Sequence, residues 1–337
     1  MSTNQEFDCV VIGAGVQGSF AAYQLAKHKQ KTALLEQFVL PHTRGSSHGQ
    51  TRIMRKAYAE DFYANMMDET YELWAQLERE AGVKLYRQTG LLVMGPEKSH
   101  YFEQVKKTLQ RNRVPMVTLT SDNFNQHIPH VKLTEGDGAV VEVTAGVLYA
   151  DRALKAAQAQ FQKLGGVIRD NEMVTDIKPG PIVTVSTSAG VYRAKRVVIT
   201  AGPWANRLLA HTGLQLPLEI CYHAGSKADP DQRDQQTDRS DIDILQRYVK
   251  RCFPGLFPEP AVVESCLYTL TPDRHFVLDC HPTYSNIVIG AGFSGHGFKF
   301  GPIIGKLLCE LSLGEVPSYD LSPFRIRRFQ ANTKSAL

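Results

Sequence analysis

A chain of 337 residues, 43% hydrophobic and 21% charged, is long and apolar enough to bury a large core and to form two lobes. A net charge of +4 without a long basic run argues against nucleic acid, and no apolar stretch has the length needed to span a membrane. The six cysteines show neither C-x-x-C spacing nor a disulfide framework, and the polar Met1 to Phe7 does not read as a signal peptide, so reduced thiols in a cytosol-like compartment are expected.

The first forty residues carry the strongest signal. Cys9-Val10-Val11-Ile12 is an apolar run of β type that breaks into Gly13-Ala14-Gly15-Val16-Gln17-Gly18. A helix is predicted over Ser19 to His28, and a second apolar run, Thr32 to Leu35, ends in Glu36. This is strand, G-x-G-x-x-G turn, helix, strand and terminal acid, the pattern of a dinucleotide site. The glycines permit a tight turn and close approach of a pyrophosphate. The helix N-terminus offers free N–H groups to the phosphates, and Glu36 can accept hydrogen bonds from a ribose hydroxyl. Lys29 stands where such folds often carry glycine after the helix, which predicts modest strain.

Arg44 to Arg55 packs three arginines, His48 and two glycines into one loop, a composition suited to clamping carboxylate or phosphate. From Asp61, Phe62, Met66, Leu73, Trp74 and Leu77 recur at helical spacing and read as core. Leu91 to Met94, Val114 to Leu119 and Val140 to Val143 are short strand candidates around a helix at Tyr101 to Gln110, an insertion of mainly antiparallel type. Asp151 reads as the N-cap of a further helix that Gly165-Gly166 stops. Strands follow at Val167 to Arg169, Ile182 to Val185 and Arg196 to Gly202.

Ala224 to Gln246 reads as a charged loop and Ala261 to Tyr268 as a strand. A last apolar strand, Asn286 to Gly290, runs into Ala291-Gly292-Phe293-Ser294-Gly295-His296-Gly297-Phe298-Lys299, after which Pro302 opens a helix. This second glycine-rich strand-to-helix turn lies some 280 residues after the first and suggests one extended cofactor held at both ends. That fits FAD better than NAD. No metal is expected.

Five stretches carry a family resemblance: the opening unit with Glu36, His48-Gly49-Gln50-Thr51-Arg52, Thr200-Ala201-Gly202-Pro203-Trp204, Cys266-Leu267-Tyr268-Thr269, and Gly292 to Lys299. Together the chain resembles the monomeric sarcosine oxidase family over nearly its whole length. The resemblance implies an α/β, Rossmann-like FAD-binding fold of the GR2/DAO type with a mixed, mainly antiparallel substrate domain. It assigns residues 1–85, 145–216 and 271–325 to the FAD domain and 86–144 and 217–270 to the substrate domain. The implied activity is oxidation of a secondary amino acid (sarcosine, L-pipecolate or L-proline) by hydride transfer to flavin, with O2 reduced to H2O2. The implied state is a monomer.

By the same resemblance FAD is attached through Cys266, with Arg52 and Lys299 stabilising the thiolate and the reduced flavin. Arg55 and Lys299 hold the substrate carboxylate, His223 lies near the substrate amine, and Tyr268 lines the pocket. Cofactor contacts are implied at Gly13, Ala14, Gly15, Gln17, Gly18, Glu36, Gln37, His48, Val174, Ala201, Gly202, Trp204, Gly292, Gly295, His296 and Gly297. The chain also departs from the family pattern. Roughly 50 residues of the substrate domain are missing around Glu219 to Tyr222, far beyond ordinary loop variation, and Glu219 stands where the family has an oxygen-activating lysine. The C-terminal Ser335-Ala336-Leu337 resembles a peroxisomal address, read by an import receptor, without its basic middle residue; the other expected location is the cytoplasm. Two other readings stay open: another amino-acid oxidase of the same fold, and a flavin-binding protein impaired in catalysis.

Overall fold

The computed structural model of the protein describes residues 4–222, 226–235 and 239–329; His223 and Ser335-Ala336-Leu337 lie outside them. In chain order the elements are β1 (Asn4–Ile12), α1 (Val16–Lys27), β2 (Thr32–Leu35), β3 (Thr51–Met54), α2 (Asp61–Ala81), β4 (Tyr86–Gln88), β5 (Leu91–Pro96), α3 (His100–Arg111), β6 (Met116–Leu119), α4 (Ser121–His127), β7 (Asp137–Glu142) and β8 (Gly146–Tyr149). They continue as α5 (Ala150–Lys163), β9 (Val167–Arg169), β10 (Val174–Lys178), β11 (Val183–Thr187), β12 (Val191–Ile199), α6 (Ala205–Ala210), β13 (Glu219–Tyr222), α7 (Ser240–Cys252), β14 (Leu267–Leu270), β15 (Val277–Cys280), β16 (Ile287–Ala291) and α8 (Gly301–Leu313).

The main sheet runs β10-β11-β12-β1-β2-β9, with β16 and β15 added alongside β12. Its centre is parallel, β1 pairing with β2 and β12, and Val10, Val11, Ala33 and Leu34 are fully buried, as strands covered on both faces require. The long β12 forks the sheet: Val191 to Ala194 pair antiparallel with β11, while Val197 to Ile199 pair parallel with β16. One apolar core lies on the side of α1, α2, α5 and α8, and a second lies on the other face with α6. Helix α8 approaches α1 closely because Gly305 leaves no side chain there; a Cβ at Gly305 would stand 2.5 Å from the Phe20 Cβ.

Three smaller sheets flank this body: β3-β8-β4, β5-β7-β6 and the two-stranded β13-β14. Helix α2 buries Tyr63, Met66, Met67, Thr70, Trp74 and Leu77 and ends at Gly82 in the left-handed conformation (φ 65°), so its apolar stripe is core, as expected. Lys29 takes φ 57°, the strained turn expected of it.

Several boundaries differ from the sequence reading. Helix α1 begins at Val16, inside the glycine motif, and α5 begins at Ala150, which puts Asp151 in the first turn rather than at the cap. The strand expected over Ala261 to Tyr268 shrinks to Leu267–Leu270, because its partner β13 is four residues long and, among the described residues, no strand pairs with 261–266. The charged loop expected up to Gln246 contains the start of α7, a helix that buries only Cys252. Its acidic Asp241 and Asp243 lie in the first turn and its basic Lys250 and Arg251 in the last, the charge order a helix dipole favours.

Candidate active site

A single cavity of about 1590 Å³ runs from the first glycine turn to the last. All the described candidate residues line it except Gly18. Gly18 works behind the wall: a Cβ there would fall 1.9 Å from the Gly13 carbonyl oxygen and 2.5 Å from Thr200 Oγ1. Gly13 has φ +100° and abuts the Thr200 carbonyl, so the turn between β1 and α1 passes flush against the end of β12. The two glycine turns touch directly, Gln17 Nε2 donating to the Gly297 carbonyl at 2.9 Å.

At one end of the cavity Glu36 is buried and accepts from the backbone N–H groups of Ala14 at 2.9 Å and Phe38 at 3.1 Å. A carboxylate has about four acceptor directions, so it retains capacity for a ribose hydroxyl while fixing the glycine turn. Ala201, Gly202 and Trp204 form the adjoining wall, Trp204 Nε1 donating to Asp231 at 2.8 Å. Gln37 and Val174 complete it. His48 Nδ1 donates to the Gly45 carbonyl at 2.7 Å; burial, with Arg233 and Arg52 nearby, lowers its pKa and keeps the ring neutral.

Arg52 is held by three backbone carbonyls, those of Thr51, Ser46 and His48, and lies over the Phe298 ring at 5.2 Å. Cys266 sits half-buried opposite. Burial raises its thiol pKa, opposed by Arg52 and by Arg233, so burial works against the expected thiolate and the two arginines favour it. Arg233 is the residue that sequence reading missed. It is buried, donates to the Ser265 carbonyl at 2.6 Å and to the Thr43 carbonyl, and so ties the loop before Cys266 to the loop after β2. The Asp-rich stretch around it gave no local sign of this, since both partners are distant in sequence.

At the far end, Arg55 and Lys299 share one aromatic ring. The Arg55 guanidinium lies 4.5 Å from the Tyr58 ring centroid and the Lys299 ammonium 5.6 Å from it. Their hydrogen bonds go to the carbonyls of Ala57 and His296, and neither has an ion pair among the described residues. Burial, with Arg55 and Arg52 close by, lowers the Lys299 pKa well below its ordinary value, so the site itself works against the cation expected there. Burial and Lys299 push His296 down to about 3, leaving a neutral ring whose Nδ1 has no partner. Tyr268 packs against Gly295, where a Cβ would meet its ring at 2.9 Å. Glu219, by contrast, lies on the surface in an ion pair with Lys227 at 3.5 Å and is not part of the cavity wall.

The residues present fit FAD: a glycine cradle that a Cβ would fill, a helix N-terminus facing it, a buried acid at the second strand and an orphaned Gln17 Oε1 between the two turns. Fold and cavity together define a Rossmann-like flavoprotein. The sequence matches the FAD dependent oxidoreductase family over residues 8–224 and 219–311, and the chain belongs to that family, with FAD as its cofactor. It is 46% identical to the peroxisomal sarcosine oxidase of Homo sapiens, with 98% of each chain covered, and 32% identical to the monomeric sarcosine oxidase of Bacillus sp. (strain B-0618), with 97% of each covered. It is thus a sarcosine-oxidase-like flavoprotein amine oxidase. In fold it is similar to NikD, an unusual amino acid oxidase (TM-score 0.85, 22% identity, 96% of this chain and 98% of that one). The match to the human relative spans 383 positions against the 337 residues here, so at least 46 positions have no residue in this chain. The family match breaks at 219–224, where the missing stretch was expected.

Proposed function

We propose that the chain oxidises a secondary amino acid of the sarcosine, L-pipecolate or L-proline type, with FAD bound covalently at Cys266 and O2 as the final acceptor. FAD supplies the two-electron acceptor that oxygen restores. The observation that carries this reading is the pair Arg55 and Lys299, two basic groups on one ring at a cavity wall with no ion-pair partner among the described residues. A substrate carboxylate gives Arg55 an ion-pair partner and favours the protonated form of Lys299, and anchoring that end fixes the orientation of the amine carbon, a gain mainly of orientation. Arg52, Arg55, Lys299, Tyr268 and His223 are the proposed active-site residues, and the glycine turns with Glu36, Gln37, His48, Val174, Trp204 and His296 the proposed cofactor contacts. A monomeric, peroxisomal protein is the reading supported by its relatives and by a peroxide product.

A second reading, a flavin-binding chain with impaired turnover, is favoured by the missing stretch at 219–224. Acid precipitation separates the two. Yellow colour retained in the wild-type pellet and released by Cys266→Ala supports the covalent site, and peroxide formed from sarcosine or L-pipecolate then supports the oxidase. Retained flavin without peroxide selects the second reading, and a colourless wild-type protein overturns both.

A further inference from the structure

We propose that Glu142 is a positioning residue for substrate recognition, a buried carboxylate that sets the Arg55 guanidinium through the backbone of Lys56 and Ala57. It is the last residue of β7, paired on either side with Leu91 and Met116, and is completely buried. An isolated carboxylate in such a place is costly unless hydrogen-bonded and charge-compensated. Its oxygens accept the Lys56 N–H at 2.8 and 2.9 Å and the Ala57 N–H at 2.8 Å, with the Thr144 hydroxyl at 3.3 Å. Holding two successive N–H groups from one side fixes the peptide planes that follow Arg55. The Ala57 carbonyl is thereby presented to Arg55, whose Nη1 donates to it. The next residue is Tyr58, whose ring carries the Arg55 and Lys299 contacts.

The support for Glu142 is itself stiff. Tyr71 and Tyr86 both donate to the Thr144 carbonyl, at 3.1 and 2.6 Å, which locks the turn that follows β7. A carboxylate in the β5-β7-β6 sheet therefore dictates the aim of a guanidinium that follows β3. Burial raises the Glu142 pKa, while the two N–H groups, Thr144 and Arg55 work to keep it charged.

The inference rests on Arg55 as carboxylate clamp, and the test separates the two. Holoprotein is titrated with acetate and with neutral acetamide, following flavin absorbance. Glu142→Gln is expected to weaken acetate at least 10-fold, leave acetamide unchanged and raise KM for sarcosine more than it lowers kcat. In an Arg55→Met background it should add nothing. Thr144→Val, a milder change, should shift acetate in the same direction by a few-fold. Equal losses for acetate and acetamide, or effects additive with Arg55→Met, overturn the positioning role. Acetate binding unaffected by Arg55→Met removes the clamp reading and this inference with it.

Discussion

Lys299 is 6% exposed, and its amine is pushed down in pKa by burial first and then by Arg55 and Arg52. A bound carboxylate adds the counter-charge that raises it again, so binding takes up a proton in the window between the lowered value and the bound value. Affinity for a simple carboxylate should be flat below that window, fall about tenfold per pH unit within it and level off above, by linkage. Lys299→Met should bind weakly with no such slope; calorimetry in buffers of different ionisation heat reads the proton directly. Gly18 makes a harder demand. Ala at that position drives a methyl into the Gly13 carbonyl, an overpacking that should cost about 1–3 kcal/mol and lower the thermal midpoint of apoprotein as well as holoprotein. Lys29 offers the reverse: at φ 57°, Lys29→Gly should stabilise by roughly 1 kcal/mol in denaturant melts.

Elements with a strong local code were legible in the sequence. The glycine turn between β1 and α1 and the strand-to-helix turn before α8 announce themselves, because each needs particular residues to exist at all. Their direct contact through Gln17 and Gly297 is a tertiary fact, as is the pinning of the Cys266 loop by Arg233. Only the first half of α7 falls in the expected charged loop: Ile242, Leu245, Val249 and Cys252 recur at helical spacing, but the acidic run before them masks the stripe, and the helix buries only Cys252. The apolar Ala261, Val262 and Val263 suggest a strand, yet Val262 is 76% exposed and, among the described residues, pairs with no strand. Hydrophobic pattern reports burial only where a partner covers it. The Arg233 latch can be tested at this scale: Arg233→Met should slow acquisition of acid-stable flavin while leaving the thermal midpoint within a few degrees, measured by absorbance of the precipitated protein.

Across the whole molecule, the main sheet and both glycine turns are intact, although at least 46 positions of the match to the human relative have no residue here and the family match breaks at 219–224. The short β13-β14 ribbon begins at this break, and Phe257, Val262 and Val263 stand exposed on the cavity rim. A chimera carrying the human relative's residues at the 219–224 break should retain the same flavin content, gain turnover and resist chymotrypsin longer at this rim, read by peptide mapping. The fork in β12 has a consequence for how the protein is made. The strand that opens the chain is flanked by β12, and β12 is completed only by β16, while Gln17 waits for Gly297 to close the cradle. Two portions of the chain some 280 residues apart thus build one cofactor site between them. Such long-separated pairing is slow to form, and a closed flavin cradle has to wait until the segment carrying β16 and Gly297 has been made.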